Sequence, residues 1–286
     1  GRPDVRPDHL ARAETGVRRV TDATANGTGY DRAAHLYDRF DHKDNVEFFV
    51  QFAKRAADGG PVLDVGAGTG RIAIPVAESG VAVAAVEPSP AMLAVFEEKL
   101  ADRPALADRI GCHEATTESF DLDRQFPVAI MSGSFDHLLD REARLHALRN
   151  VARHLEPGGT LVFDVFVGLM DDQPRSPAGR VVEGGTEYRR FVEREVRDDD
   201  RVEVTLTYEA YEDGELTDRI VQPSRTGIVD REDVHDCLDV AGFEVVREFG
   251  DYDRAPWEDD DLLIVRLSRS RRERPFRRRR SASSVR

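Results

Sequence analysis

The spacing of hydrophobic and polar residues changes along the chain. From 30 to 57, apolar residues recur at helical spacing. From 61 to 166, short apolar runs alternate with amphipathic segments, which predicts parallel strands connected by helices. From 186 to 228, polar and apolar residues alternate with the two-residue period of antiparallel strands. The pattern therefore predicts an α/β protein whose parallel sheet carries an antiparallel insertion.

Individual elements follow from apolar runs and turn residues. We expect strands at 61–65, 81–86, about 109–113, 127–132 and 160–166. Helices are predicted at about 70–79, 90–100 and 141–155, the last one capped by the glycines of Pro157-Gly158-Gly159. Antiparallel strands are predicted at 188–196, 202–211 and 216–222, followed by a helix at 230–241. An antiparallel pair, 243–249 and 262–267, completes a doubly wound sheet of seven strands, six parallel and one antiparallel.

A glycine-rich loop follows the first strand. Gly66, Gly68 and Gly70 occupy alternate positions where the backbone turns sharply and approaches a ligand, and glycine allows this because it has no Cβ. Dinucleotide loops have the spacing Gly-x-Gly-x-x-Gly, but Arg71 stands where the third glycine belongs. The loop therefore indicates a nucleotide-type cofactor, and its spacing fits a dinucleotide poorly.

The second strand ends in a carboxylate, Glu87. A carboxylate at this place accepts hydrogen bonds from the two ribose hydroxyls of an adenosine-type cofactor. Pro88 follows it, Ser89 is suited to cap the next helix, and Met92 in that helix is a candidate contact for the adenine. A solvated charge at the strand end and simple core packing are the alternatives for Glu87 and Met92.

Asp64 and the Gly-x-Gly-x-Gly loop resemble the first motif of class I S-adenosylmethionine (SAM) dependent methyltransferases. The resemblance covers about residues 30–268 and implies a Rossmann-like fold, SAM as the cofactor, and a β insertion that caps the substrate pocket. It also implies a set of cofactor-binding residues: Asp64, Gly66, Ala67, Gly68, Gly70, Glu87, Pro88, Met92, Thr116, Thr117, Ser132 and Gly133. Thr116 stands where the family usually has an acidic residue that contacts adenine, and a threonine hydroxyl or Glu118 could replace it.

The segment after the fourth strand, Ser132-Gly133-Ser134-Phe135-Asp136-His137-Leu138, resembles that of glycine-N-methyltransferase-like and amino-sugar N-methyltransferases. Gly133 replaces an asparagine, and Phe166 stands where the relative that methylates glycine has its carboxylate-binding arginine, which argues against glycine as the substrate. His137 is the natural candidate for the catalytic base, with Asp136, Glu118 and Tyr37 behind it. A structural hydrogen-bonding role is the alternative for this histidine. Tyr37 is the second catalytic candidate, because its ring could close over the sulfonium.

Charge divides the chain into two regions. The segment 269–286 holds nine arginines and one glutamate, so the remainder carries a net charge of −22 against −14 for the whole chain. An acidic body repels phosphate backbones, which argues against a nucleic-acid substrate, although the basic tail could make weak polyanion contacts. Only three lysines occur beside many arginines and aspartates, a composition similar to that of haloarchaeal proteins or of proteins from GC-rich genomes.

The predicted organisation has three parts: a flexible arm at 1–28, a methyltransferase domain at 29–268 with its cap at about 180–228, and a disordered basic tail at 269–286. No secretory signal or membrane-spanning run is present, so we expect a cytoplasmic protein. Cys112 and Cys237 lack metal-type spacing, and no metal is expected.

The sequence therefore predicts a SAM-dependent methyltransferase that transfers a methyl group to nitrogen or oxygen of a small molecule. A non-catalytic SAM-binding or regulatory protein is one alternative, motivated by Gly133 and Thr116. An RNA-associated methyltransferase that uses the basic tail is another. The acceptor and the oligomeric state stay open, because acceptor pockets in this fold are built from variable loops.

Overall fold

The computed structural model describes residues 30–40, 44–168, 170–197 and 201–270. The predicted arm and all but the first two residues of the predicted tail lie outside these ranges. Within them the chain forms helices α1 (Ala34–Phe40), α2 (Val46–Ala56), α3 (Ala73–Glu78), α4 (Pro90–Ala101), α5 (Pro104–Ala107), α6 (Arg141–His154) and α7 (Arg231–Ala241). Its strands are β1 (Val62–Val65), β2 (Val83–Glu87), β3 (Ile110–Glu114), β4 (Phe126–Met131), β5 (Leu155–Phe166), β6 (Gln173–Glu183), β7 (Thr186–Arg197), β8 (Arg201–Glu212), β9 (Glu215–Gly227), β10 (Phe243–Phe249) and β11 (Leu262–Arg269).

The larger sheet, sheet A, has seven strands in the order β10-β11-β5-β4-β1-β2-β3. Only β11 runs antiparallel to its neighbours, β10 and β5, so six strands point one way, as predicted. Strand order reverses direction between β1 and β4. In such sheets this switch point opens a crevice outside the carboxyl ends of the strands, where ligands bind.

Two apolar layers cover the faces of sheet A. Helices α2, α3 and α4 pack on one face around Phe49 and Phe96, and α6 and α7 pack on the other around Leu148 and Phe163. The central strands are therefore buried on both sides, which explains why they are continuous apolar runs in the sequence.

The antiparallel insertion forms a separate sheet, sheet B, in the order β6-β7-β8-β9. Strand β6 was not predicted, because Gln173–Glu183 holds two prolines and charged residues in place of regular alternation. Helix α1 packs on one face of sheet B, where Leu36 and Phe40 meet Tyr208. The N-terminal helix thus contacts the insertion.

The Pro-Gly-Gly turn lies elsewhere than predicted. Helix α6 ends at His154, and Leu155 already belongs to β5 with an extended backbone. The turn is an irregularity inside β5, where the pairing with β4 jumps from Phe126–Leu155 to Val128–Thr160. Gly158, with φ +85°, therefore serves a strand bulge and not a helix cap.

Among the described residues, no helix combines the length and the apolar composition that a membrane crossing needs.

Candidate functional site

A cavity of about 670 Å³ opens at the carboxyl ends of the central strands, at the switch point of sheet A. Its walls come from the loops after β1, β2, β3 and β4, from helix α1 and from strands β8 and β9. All the predicted cofactor and catalytic residues except Gly70 line it: Asp64, Gly66, Ala67, Gly68, Glu87, Pro88, Met92, Thr116, Thr117, Ser132, Gly133, His137 and Tyr37. Parallel strands bring these distant segments together because their carboxyl ends share one edge.

The three loop glycines serve different purposes. A Cβ on Gly66 would lie 2.5 Å from Cβ of Ser134, and a Cβ on Gly70 would collide with the ring of Phe96. These two positions must be glycine because the protein itself packs against them. Gly68 lies on the cavity side, where a Cβ would meet only the end of Met92 at 3.4 Å. All three have positive φ, which side chains other than glycine adopt with strain.

Glu87 fixes the loop from the neighbouring strand. Its Oε2 accepts a hydrogen bond from the Gly68 backbone N at 2.9 Å, and its Oε1 accepts one from the Ser89 N at 2.9 Å. Burial raises the pKa of Glu87, and these two backbone donors act in the opposite direction. Each carboxylate oxygen has a second lone pair, so the group can still accept hydrogen bonds from a vicinal diol in the cavity.

Asp64 is a buried carboxyl at the floor of the cavity, 2% exposed. Burial raises its pKa to about 7; the nearby Arg71 guanidinium lowers it and Glu87 raises it further. Its Oδ2 has no hydrogen-bond partner within the described part of the chain. A buried carboxylate oxygen without a partner is costly, and a ligand ammonium group would satisfy it.

Arg71, which stands where a dinucleotide loop would have glycine, also lines the cavity. Its guanidinium donates to Oδ1 of Asn45 and, at 3.3 Å, to Oγ of Ser132. The cavity thus holds a cation and an anion side by side at one end. A zwitterionic group, such as the amino-acid end of SAM, has the complementary charges.

A buried hydrogen-bond network centred on Asp164 supports the loop after β4. This carboxylate, at the end of β5, accepts from the Gly133 N at 2.5 Å, from Oγ of Ser132 at 3.2 Å and from the Tyr252 hydroxyl at 2.8 Å. Asn45 donates to the same network. The network fixes the backbone of Gly133, whose φ is +62°.

His137 also lines the cavity, on a 3-10 turn over Phe135–His137. Its Nε2 is 3.0 Å from the hydroxyl of Tyr30, and its Nδ1 is 3.3 Å from the carbonyl oxygen of Arg225. The ring of Tyr30 meets that of Tyr37 edge-on, with centroids 5.6 Å apart. The two predicted catalytic residues therefore both contact the ring of Tyr30.

Helix α1 and the residues before it form hydrogen bonds to the glycine-rich loop, to the start of α4 and to sheet B. Asp31 accepts a hydrogen bond from Oγ of Ser89 at 2.5 Å, and Asp38 accepts one from Oγ1 of Thr69 at 2.6 Å. On its other side, the Ala33 N donates to Oε1 of Gln222 in β9 at 2.9 Å. The N-terminal segment is thereby held between the cofactor loop and sheet B.

The loop after β3 supplies two predicted contacts, Thr116 and Thr117. Oγ1 of Thr116 pairs with Oγ of Ser119 at 2.8 Å, and the carbonyl oxygen of Thr117 accepts from Nδ2 of Asn150 at 3.0 Å. Glu118 lines the same wall. Backbone groups, hydroxyls and one carboxylate thus line this wall of the cavity, which is where the resemblance predicts the adenine contacts.

Several cavity and support residues were not predicted from the sequence. Tyr30, Asn45, Asp164 and Tyr252 come from different elements and share no motif. Asp164 alone had a recognisable signal, because it is a polar residue near the carboxyl end of an apolar central strand. Sheet B also contributes wall residues that the cap prediction did not name: Glu203, Val204, Thr205, Pro223, Ser224 and Arg225.

Residues 62–159 match the family model described as a methyltransferase domain. Over 111 residues the chain is 37% identical to a cypemycin N-terminal methyltransferase from a Streptomyces species, a match that covers 38% of this chain and 43% of that protein. The chain thus spans less than half the length of this curated relative.

Solved structures match over most of the chain. The sugar N-methyltransferase KedS8 from Streptoalloteichus has 26% identity and a TM-score of 0.68, and the match covers 89% of this chain and all of KedS8. The CcbJ methyltransferase from Streptomyces caelestis has 21% identity and a TM-score of 0.73, with 85% of this chain and 98% of CcbJ covered. This second likeness concerns the fold alone.

These findings define the class. The fold is that of class I methyltransferases, and residues 62–159 match a methyltransferase-domain model, so the resemblance seen in the glycine loop is confirmed. SAM, the cofactor predicted from that loop, is the methyl donor of this class. The cavity fits it: Gly68 leaves space for close approach, Glu87 offers acceptors for a diol, and Asp64 has a buried oxygen available for an ammonium group.

Proposed function

We propose that the protein is a SAM-dependent methyltransferase whose acceptor is the amine nitrogen of a small molecule. One observation carries the proposal: the glycine loop, Glu87 and Asp64 open into the same cavity as His137 and the strands of sheet B. A cofactor half and an acceptor half thus share one space. Nitrogen is favoured over oxygen because KedS8 is named a sugar N-methyltransferase. The cypemycin relative is named an N-terminal methyltransferase, and the amino terminus of a peptide is an amine.

In this proposal the residues of sheet A hold the cofactor. Glu87 binds the ribose hydroxyls, Asp64 the α-ammonium and Arg71 the α-carboxylate, while Thr116, Thr117, Pro88 and Met92 surround the adenine. Gly66, Ala67, Gly68, Ser132 and Gly133 supply backbone contacts along the cofactor. Gly70 contributes by packing the loop on Phe96.

The acceptor enters from the side of His137, Tyr37 and sheet B. When bound, SAM would supply an electrophilic methyl carbon for the acceptor lone pair, with its sulfur as the leaving group that retains the C–S electron pair. The protein excludes water and aligns the nucleophile, contributions worth up to about 7 to 11 kcal/mol. An amine must be neutral to attack, and His137 is the base that receives its proton.

The first test is calorimetric titration of SAM into the wild-type protein and the Glu87→Gln variant. Losing a charged acceptor of hydrogen bonds costs about 1.5 to 3 kcal/mol, which corresponds to a roughly 10- to 100-fold weaker Kd. Glu98→Gln, an exposed position on α4, is the matched control and is expected to bind SAM like the wild type. A folded wild-type protein that binds no SAM would contradict the cofactor assignment.

The second test uses SAM labelled in its methyl group and matched pairs of acceptors. 2-Amino-2-deoxyglucose is compared with glucose, and benzylamine with benzyl alcohol; a short peptide with a free amino terminus is the third amine. We expect label to enter amines and not their hydroxyl counterparts. Labelling of the alcohols alone would assign O-methylation, and SAM binding without any transfer would support a non-catalytic SAM-binding protein.

A further inference from the structure

We propose that Tyr30 is the catalytic group that touches the acceptor, and that His137 takes the acceptor's proton through the Tyr30 hydroxyl and not directly. The inference rests on the proposed function and adds a residue to it. Tyr30 lines the cavity together with His137 and Tyr37. It lies before α1, in a segment without a motif.

The hydrogen bonds of His137 determine which group can accept a proton. Its Nδ1 is 3.3 Å from the backbone carbonyl oxygen of Arg225, and a carbonyl oxygen can only accept. Nδ1 therefore carries the hydrogen of the neutral ring. A neutral imidazole has one N–H, so Nε2 holds the lone pair, and the hydroxyl of Tyr30, at 3.0 Å, donates to it.

This arrangement places the phenol proton on the basic lone pair of the histidine. An acceptor that approached Nε2 directly would have to displace the Tyr30 hydroxyl. An acceptor that approaches the oxygen of Tyr30 needs no rearrangement, because the phenol oxygen can accept a hydrogen bond while it donates one.

The proton balance is simple. The acceptor ammonium gives one N–H proton to the oxygen of Tyr30 while Tyr30 gives its own proton to Nε2 of His137. The imidazole becomes an imidazolium, Tyr30 is neutral again, and the nitrogen keeps the lone pair that attacks the methyl carbon. The new Nε2–H then donates to Tyr30, so the same 3.0 Å contact serves both states.

Neighbouring groups hold this pair in place. The Tyr30 ring is edge-on to His137, with centroids 5.4 Å apart, and edge-on to Tyr37. Asp31, next in sequence, accepts the hydrogen bond from Ser89, which ties the segment to the start of α4. Titratable and charged groups on the surrounding elements line the same cavity: Tyr37, Glu118, Glu203 and Arg225.

The first arm of the test needs no turnover. Protein labelled with 15N in its eight histidines is bound to SAM, and the tautomer of His137 is read from long-range 1H–15N spectra, with His137→Gln assigning the signal. We expect the neutral ring to carry its proton on Nδ1. A proton on Nε2 would overturn the proposal. Since no acceptor is used, this result is readable even if the proposed function fails.

The second arm compares variants with the amine that accepts label in the panel above. Tyr30→Phe is expected to lower kcat by at least about 100-fold, as for loss of an acid–base group, with the Kd for SAM changed less than twofold. His137→Gln is expected to lower kcat by a similar factor and to flatten the pH dependence near neutrality. The double variant is expected to be no worse than either single variant, because both residues serve one proton path.

Tyr188→Phe is the matched control, since it removes a phenol hydroxyl from sheet B near α1, where Tyr188 packs with its ring. It is expected to retain wild-type kcat. If Tyr30→Phe also retained kcat while His137→Gln abolished it, the acceptor would meet the histidine directly and the relay would be wrong.

Discussion

Sheet A, through the loops at its carboxyl edge, and sheet B each form a wall of the cavity, beside helix α1. The two sheets satisfy their charged groups in different ways. On the sheet A side, the carboxylate of Glu87 accepts hydrogen bonds from backbone N–H groups. Asp64 is buried, and within the part of the chain that the structure describes its Oδ2 has no hydrogen-bond partner. On sheet B, carboxylates pair with arginine side chains across the strands, as Glu203 does with Arg197.

Under the proposed function, the difference follows from what each wall binds. A cofactor with fixed groups is bound by backbone shape and a few buried carboxylates, and both leave a motif in the sequence. A ladder of side chains on antiparallel strands can exchange residues without changing the backbone. We therefore expect substitutions in sheet B to change which acceptor is preferred without changing the affinity for SAM.

The largest expected effect concerns the pH dependence of stability at Asp64. Its pKa is about 7 in the folded protein against 3.8 for the ordinary group, so between these values the folded state binds more protons than the unfolded state. The free energy of unfolding should then fall by up to about 1.4 kcal/mol per pH unit from about pH 4 to 7. Urea unfolding across this range, with Asp64→Asn beside the wild type, measures it.

Asp64→Asn should lack this decline, whereas Asp102→Asn, at an exposed position, should keep it. SAM binding should show the opposite trend, because the ionised carboxylate is the form that attracts an ammonium group; SAM affinity should rise as pH increases through about 7. Parallel unfolding curves for the wild type and Asp64→Asn would contradict the assignment of a raised pKa.

The next effect concerns the glycine loop. Gly70→Ala places a Cβ against the ring of Phe96 and forces alanine to adopt a φ of +84°. Overpacking and left-handed backbone strain together should cost about 3 kcal/mol. Gly80→Ala is the matched control, since its φ is +97° but no atom lies within 4 Å of the added Cβ. It should cost about 1 to 2 kcal/mol. If both variants lost the same free energy of unfolding in urea, the ring of Phe96 would have moved aside to accommodate the added Cβ.

The sequence predicts sheet A and its cofactor loop better than it predicts sheet B. The parallel core and the cofactor loop were predictable because burial on both faces imposes apolar strands and because the loop imposes glycine. Strand β6 was missed since its prolines and charges hide the alternation. The Pro-Gly-Gly turn was assigned to a helix end because a bulge inside β5 depends on pairing with β4, which no local pattern contains.

The site was predictable to a similar degree. Glu87 and Asp64 lie at strand ends and could be identified by position, and their place in the cavity agrees with that expectation. Tyr30 and Tyr252 reach the site or its support only through the packing of segments far apart in the chain. Such residues stand at no fixed sequence distance from the glycine-rich motif, so only the tertiary structure shows that they lie near it.

The smallest expected effect lies in sheet B, at Glu209. Its side chain is 4% exposed and accepts hydrogen bonds from Arg219 at 2.9 Å, Arg175 at 2.9 Å and Tyr211 at 2.7 Å. Burial raises the pKa of Glu209, but these donors outweigh it and the pKa is lowered. Because the arginines are partly exposed, Glu209→Gln should cost only about 1 kcal/mol.

The pH trend at Glu209 should be opposite to that at Asp64. A lowered pKa gives stability that is present above the ordinary value of 4.5 and is lost as pH falls through the folded value, so Glu209→Gln should differ from the wild type near neutrality and converge with it in acid. Glu195→Gln, whose carboxylate pairs with Arg197 and is 57% exposed, should match the wild type. If Glu209→Gln also weakened SAM binding in calorimetry, the two walls would be energetically coupled, and the separation of cofactor and acceptor recognition would not hold.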